Sequence, residues 1–194
     1  PQELPPYDFL MERVTQEGAV SQKQVEALMA MIAYHETGPN QRNLPEAIQE
    51  TPVPYGRGLY QYEMALGRDI ERSGSRTAMN RLYAALGGDL STGKKPSNMP
   101  KWMNKYFSEN KWGHLEASGE VDFSELNEEQ QKTLFLADKL MEYSRPGRDQ
   151  YKNLKAIGVE SDSTWWQQYH QKGGGSTAKF DSSRSSFLNN RISQ

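Results

Sequence analysis

A glutamate at the end of an apolar helical stripe is the residue of this chain best suited to acid–base chemistry. The segment Tyr34-His35-Glu36-Thr37-Gly38 is followed by Gly56-Arg57-Gly58-Leu59-Tyr60-Gln61-Tyr62-Glu63. Val25, Leu28, Met29 and Ile32 recur at helical spacing, and one further turn of that stripe reaches Glu36. A carboxyl at the end of a buried face is partly desolvated, which disfavours its charged form, as a general acid requires. The second segment adds glycines for a tight turn, the amide of Gln61, and in Glu63 a candidate second carboxylate. Such a set suits glycoside cleavage, in which an acid protonates the leaving oxygen and the site stabilises an oxocarbenium-like transition state. Tyr34, Tyr55, Tyr60 and Tyr62 are rings on which a pyranose can stack, with core packing as the competing role for each. For Glu63 the competing role is a helix N-terminal acid favoured by the helix dipole. For Gln61 it is a hydrogen bond to the turn.

The elements that must carry these residues read as helices. Ser21 with Gln24 is an N-cap with its capping-box partner, and Gly38-Pro39 ends the helix it opens. After a polar loop, Pro39 to Pro54, the pattern predicts helices over Leu59 to Ile70 and over Arg76 to Leu86, the latter with Met79, Leu82, Tyr83 and Leu86 on one face and Gly87-Gly88 as its stop. Trp102, Met103, Tyr106 and Phe107 mark a shorter helix. Asn127 with Gln130 opens a strong one through Leu134, Phe135, Leu140 and Met141, ended by Pro146-Gly147. Tyr151, Leu154 and Ile157 indicate another, and Ser163 a cap for a last one carrying Trp165, Trp166 and Tyr169. From Gly173 onward the chain is rich in Gly, Ser and Asn, with Phe180, Phe187, Leu188 and Ile192 as its larger apolar residues. The expected organisation is a mainly α domain over residues 1–172 with long loops, followed by an extended or partner-wrapping tail over residues 173–194.

Composition narrows the chemistry. A chain of 194 residues suits one domain with a useful core. Its hydrophobic fraction of 35% and mean hydropathy of -0.89 agree with long polar connections. No apolar run approaches the roughly 20 residues of a membrane span. The formal net charge of -2 gives no general attraction to nucleic acid. The chain has no cysteine, so disulfides, thiolate metal sites and cysteine nucleophiles are excluded. His35, His114 and His170 are scattered, so no metal and no cofactor is expected. A nucleophile elbow and a phosphate loop are missing. The residues from Pro1 to Pro6 show no basic start and no apolar stretch, so no signal peptide is visible.

Glu36-Thr37-Gly38 and Gly58-Leu59-Tyr60-Gln61 together make residues 21 to 66 resemble the lysozyme-like lytic transglycosylases and related phage cell-wall-degrading proteins. In that superfamily a helix ends on a catalytic Glu, followed by a small hydroxyl residue and a Gly, with a Gly-Leu-Met-Gln type motif downstream. Here Tyr60 stands in place of the Met, and the loop from Gly38 to Gly56 is longer than the common pattern. Of the family's later Tyr-Asn-Ala-Gly feature, Tyr169-His170-Gln171-Lys172-Gly173 keeps the Tyr alone. The resemblance implies a lysozyme-like fold and cleavage between N-acetylmuramic acid and N-acetylglucosamine. It makes Glu36 the acid and then the base, and Gly58, Leu59, Tyr60, Gln61 and Tyr169 substrate-binding residues. In a lytic transglycosylase the sugar's own 6-hydroxyl attacks and a second carboxylate is unnecessary; a hydrolase needs water and usually a second acid, for which Glu63 and Glu50 are nearest in sequence. The implied partner is bacterial peptidoglycan, met as a phage virion component or in the cell envelope, with other virion proteins as partners of the tail. The competing expectation is a non-catalytic virion assembly protein that keeps the scaffold.

Overall fold

The computed structural model describes residues 4–50, 55–67, 69–70, 73–118, 120–172 and 174–192. Pro1 to Glu3, Thr51 to Pro54 of the polar loop, and Gly173, Ser193 and Gln194 of the expected tail lie outside the described residues. Helices hold 51% of the chain against 7% in strands, which makes the class mainly α. Among the described residues no helix is long and apolar enough to cross a membrane.

The central helix is α4, Glu128–Met141, opened by the Asn127–Gln130 capping box in both directions. It is flanked by α1, Pro6–Gly18, and α3, Gly74–Ala85, and α3 with α4 forms the most extensive pairing of elements. The helix α1 has no counterpart among the sequence expectations. Leu10, Met11 and Val14 are its buried face, a short stripe that begins at Pro6 in the first turn, where a missing N–H costs nothing. α2, Gln22–Glu36, begins at the Ser21–Gln24 capping box and ends on Glu36. Short α5, Lys152–Lys155, and α6, Asp162–Tyr169, follow α4; Ser161, not Ser163, caps α6. The Trp102 region is a 3-10 helix, Lys101–Tyr106, that runs into a small hairpin of β3, Phe107–Glu109, and β4, Leu115–Ala117.

Two expectations are overturned. Leu59 to Ile70 is not a helix. Gly56–Arg57 (β1) pairs antiparallel with Tyr62–Glu63 (β2), Gly56 opposite Glu63 and Arg57 opposite Tyr62. Positive φ at Gly58, Gln61, Leu66 and Gly67 interrupts any helical path. Leu59, Tyr60, Tyr62, Met64 and Ala65 are buried while Glu63 is exposed, so burial here follows neither a helical stripe nor a clean strand alternation.

Residues 177–192 are likewise not extended. Thr177–Ile192 forms α7, packed on α2 and α6. Phe180 is fully buried, Phe187 meets the Tyr34 ring at 5.2 Å, and Ser183 Oγ is 2.8 Å from His35 Nδ1. Such a Ser- and Asn-rich segment has little helical tendency alone, and the apolar contacts with α2 and α6 hold it.

Candidate active site

Glu36 is placed by the way α2 ends. Thr37 Oγ1 donates to the Ala33 carbonyl at 2.7 Å and accepts from the Asn43 N–H at 2.9 Å. Gly38 then turns the chain at φ +68, a conformation glycine adopts freely. The hydroxyl and glycine after Glu36 therefore build the turn that fixes the carboxylate.

The Glu36 side chain is 9% exposed. Oε1 accepts from the Trp166 indole Nε1 at 2.6 Å and from Gln171 Nε2 at 2.8 Å. Among the described residues no hydrogen bond reaches Oε2. Burial raises the Glu36 pKa above the ordinary carboxylate range, and the two donors and the charge of Lys139 only partly offset it. The acid form thus has its carbonyl oxygen held by two fixed donors, which leaves Oε2 to carry the proton.

His170 lies beside it, its Nε2 at 3.8 Å from Glu36 Oε1. Nε2 donates to the Tyr60 carbonyl at 2.8 Å, which sets the tautomer, while Nδ1 is buried with no hydrogen-bond partner among the described residues. Burial, aided by the Lys139 charge, lowers the His170 pKa to about 3. The imidazole in the Glu36–His170 contact is therefore neutral near pH 7, and the contact is no ion pair.

A second buried carboxyl stands on α4. Asp138 accepts from Arg81 Nη1 at 2.5 Å and from the Tyr62 hydroxyl at 2.7 Å, and Lys139 Nζ is 3.3 Å away. Burial would raise its pKa, but Lys139, Arg81 and the Tyr62 hydrogen bond outweigh it, and the net shift is downward, to a firmly ionised carboxylate. Lys139 Nζ also donates to the Tyr169 carbonyl at 2.6 Å, tying α6 to α4. Gln61, Tyr62, Glu63, Arg81, Asp138, His170 and Gln171 border one cleft of about 380 Å³. Glu36 lies behind that wall, hydrogen-bonded to Gln171 and beside His170, and does not itself line the cleft.

The residues expected from the sequence divide around this cleft. Gln61 lies on its wall, with its amide donating to the Gly58 carbonyl at 2.7 Å. Glu63 is exposed on the same wall. Leu59 and Tyr60 are core residues, 3% and 1% exposed, and Tyr60 packs on Phe135 with ring centroids 4.6 Å apart. The Tyr169 ring packs on Trp165. Glu50 sits apart, hydrogen-bonded by Asn40.

Gly58 is where the hairpin is fastened. Its N–H donates to Ala47 at 2.7 Å, and a Cβ there would collide with the Gln131 side chain. Gln131, fully buried on α4, accepts from Leu59 N at 2.7 Å and donates to the carbonyls of Pro45 and Leu126.

Asp138, Gln131, Arg81 and the Trp166–Gln171 clamp did not emerge from the sequence. For Asp138 and Gln131 a signal existed: both fall on the apolar face of α4, at helical spacing from Leu134 and Phe135, where an unpaired polar group is costly. The Trp166–Gln171 clamp left no local trace. Comparison with protein-family models, with curated proteins and with solved structures gives no significant match to this chain, and the reading of the site rests on its own residues.

Proposed function

We propose that this chain cleaves the glycan strands of bacterial peptidoglycan between N-acetylmuramic acid and N-acetylglucosamine, by a lytic transglycosylase mechanism with Glu36 as the acid and then the base. The observation that carries the reading is the setting of Glu36: a nearly buried carboxyl whose pKa is raised by that burial, whose Oε1 is fixed by Trp166 and Gln171 and whose Oε2 makes no hydrogen bond among the described residues. A carboxyl that holds its proton more tightly than an exposed one is suited to donate it to a glycosidic oxygen. Asp138 does not act as a second catalyst, because its oxygens are engaged by Arg81, Tyr62 and Lys139. Its charge is balanced by Arg81 and Lys139. With Glu36 as the one working carboxyl, the sugar's own 6-hydroxyl attacks; Glu63, exposed on the cleft wall, is the carboxylate a hydrolase would use. The site of action is the bacterial envelope, reached as part of a phage particle or as a lysis protein.

Mass spectrometry of digested peptidoglycan tests this. Products with 1,6-anhydro-muramic ends are expected, and Glu36→Gln should abolish them with the fold intact. Reducing-end muramic acid would make the protein a hydrolase, and no products from folded protein would overturn the reading. One observation favours a second reading, a virion assembly protein that retains the scaffold without activity. Trp166 lies across Glu36 and is itself packed under Phe180 of α7, ring centroids 5.1 Å apart, so the carboxyl is covered on that side.

A further inference from the structure

The cleft beside Glu36 does not end at Arg81. A second cavity, of about 690 Å³, shares Thr77, Arg81 and Lys172 with it, so the two adjoin along α3 and the end of α4. That volume is in the range of small-ligand sites, roughly 300–1,000 Å³. The charged groups on its wall are Arg81, Glu142, Arg145, Arg148 and Lys172.

Most of those charges are already matched. Arg81 is bound to Asp138. Glu142 is held by Lys172 at 3.0 Å and by the Asn153 amide at 3.2 Å. Arg145 and Arg148 remain. They stand at the two ends of the turn through Pro146-Gly147, closed by the Arg148 N–H donating to the Arg145 carbonyl at 3.3 Å. Both are exposed, and neither makes an ion pair among the described residues. The cavity wall thus presents two free guanidiniums and no free carboxylate, an excess of positive charge in a chain whose formal net charge is -2. The guanidinium fork matches a carboxylate in bidentate fashion, which a lysine cannot do.

We infer that this second cavity binds a carboxylate-bearing substituent of the polymer cleaved beside Glu36, namely the acidic peptide carried by peptidoglycan strands, with Arg145 and Arg148 as its carboxylate anchors. The inference rests on the proposed function, because the polymer it anchors is the one cleaved beside Glu36. It makes the protein selective for peptide-bearing strands over bare glycan.

Strands with their peptides, and strands stripped of them by an amidase, are digested in parallel by wild type and by the Arg145→Ala/Arg148→Ala double variant. Wild type should favour peptide-bearing strands by about tenfold in kcat/KM, the combined effect of two exposed charge contacts. The double variant should lose that preference through KM, and raised salt should weaken it in wild type. A Lys pair at the two positions should restore part of it. Equal wild-type rates on both strands, or a variant that keeps the preference, would overturn the inference. Should wild type cleave neither strand, the proposed function fails separately. Calorimetric titration with a soluble muramyl tripeptide then decides: binding that needs both arginines and free carboxylates upholds the anchor, and no binding, or equal binding of the amidated tripeptide, removes it.

Discussion

The end of α2 and the middle of α4 each bury a carboxyl, one behind the cleft wall and one on it, and their pKa values move in opposite directions. Glu36 is met by neutral partners, an indole, an amide and a neutral imidazole, so burial dominates and its pKa is raised. Asp138 is met by Arg81, Lys139 and a phenol, so its charge is retained despite equal burial. Burial alone does not set ionisation; the charge of the nearest neighbours decides it. Two residues of nearly the same chemistry are thereby pushed toward opposite ionisation by their neighbours.

Removing the acid is the sharpest way to break this comparison. Glu36→Gln should lower peptidoglycan cleavage by about four orders of magnitude, the upper range for a general acid, measured by release of soluble muropeptides. The same variant has a signature in stability. The folded protein holds the Glu36 proton more tightly than the unfolded chain. Its contribution is therefore full below the ordinary glutamate pKa and is lost as pH rises through the raised one. Glu36→Gln should accordingly gain stability over wild type as pH rises, read from urea midpoints at pH 5 and pH 8.

The opposite carboxyl should behave in the opposite way. Asp138→Ala strands Arg81 and Lys139 without their partner and should cost about 3–5 kcal/mol in chemical denaturation. Asp138→Asn, which still accepts from Tyr62, should cost less.

A smaller effect is expected at the cover over Glu36. Phe180→Ala should remove about 3 kcal/mol from the docking of α7. Hydrogen exchange should rise over residues 177–192 and not over α4; a uniform rise would show that α7 is integral to the core. The smallest effect concerns His35, packed between Trp166 and Phe180, with Arg42 as the charged group acting on it. Burial, and then Arg42, lowers its pKa to about 4. The unfolded chain takes up the proton near the ordinary 6.5, so stability should fall as pH drops from 6.5 and level off near 4. After discounting for its part-exposure the loss is about 1 kcal/mol. His35→Gln should flatten that part of a melting-temperature profile, leaving the slope from His170.

Two helix starts are legible in short-range signals, whereas α1 and the Ser161 cap of α6 are not among the expectations. Ser21 with Gln24 and Asn127 with Gln130 each cap a helix where the four-residue signal places it, because capping depends on neighbours within one turn. The Glu36-Thr37-Gly38 stop is of the same kind. The hairpin at Gly56 to Glu63 was misread as a helix start because its turn depends on Gln131, 72 residues away, accepting from Leu59 N. α7 was misread as a tail because its own residues are weak helix formers and its stabilisation lies in α2 and α6.

The sequence by itself determined the mainly α class, the caps, and the position of a carboxyl at the end of an apolar stripe, since each follows from periodicity and short-range hydrogen bonding. Tertiary structure alone decided what that carboxyl is. Trp166 and Gln171, 130 and 135 residues further along the chain, fix one oxygen of Glu36, and Asp138 enters the cleft from α4 with its cations. Ionisation is a property of the surroundings, and those surroundings come from parts of the chain that only folding brings together.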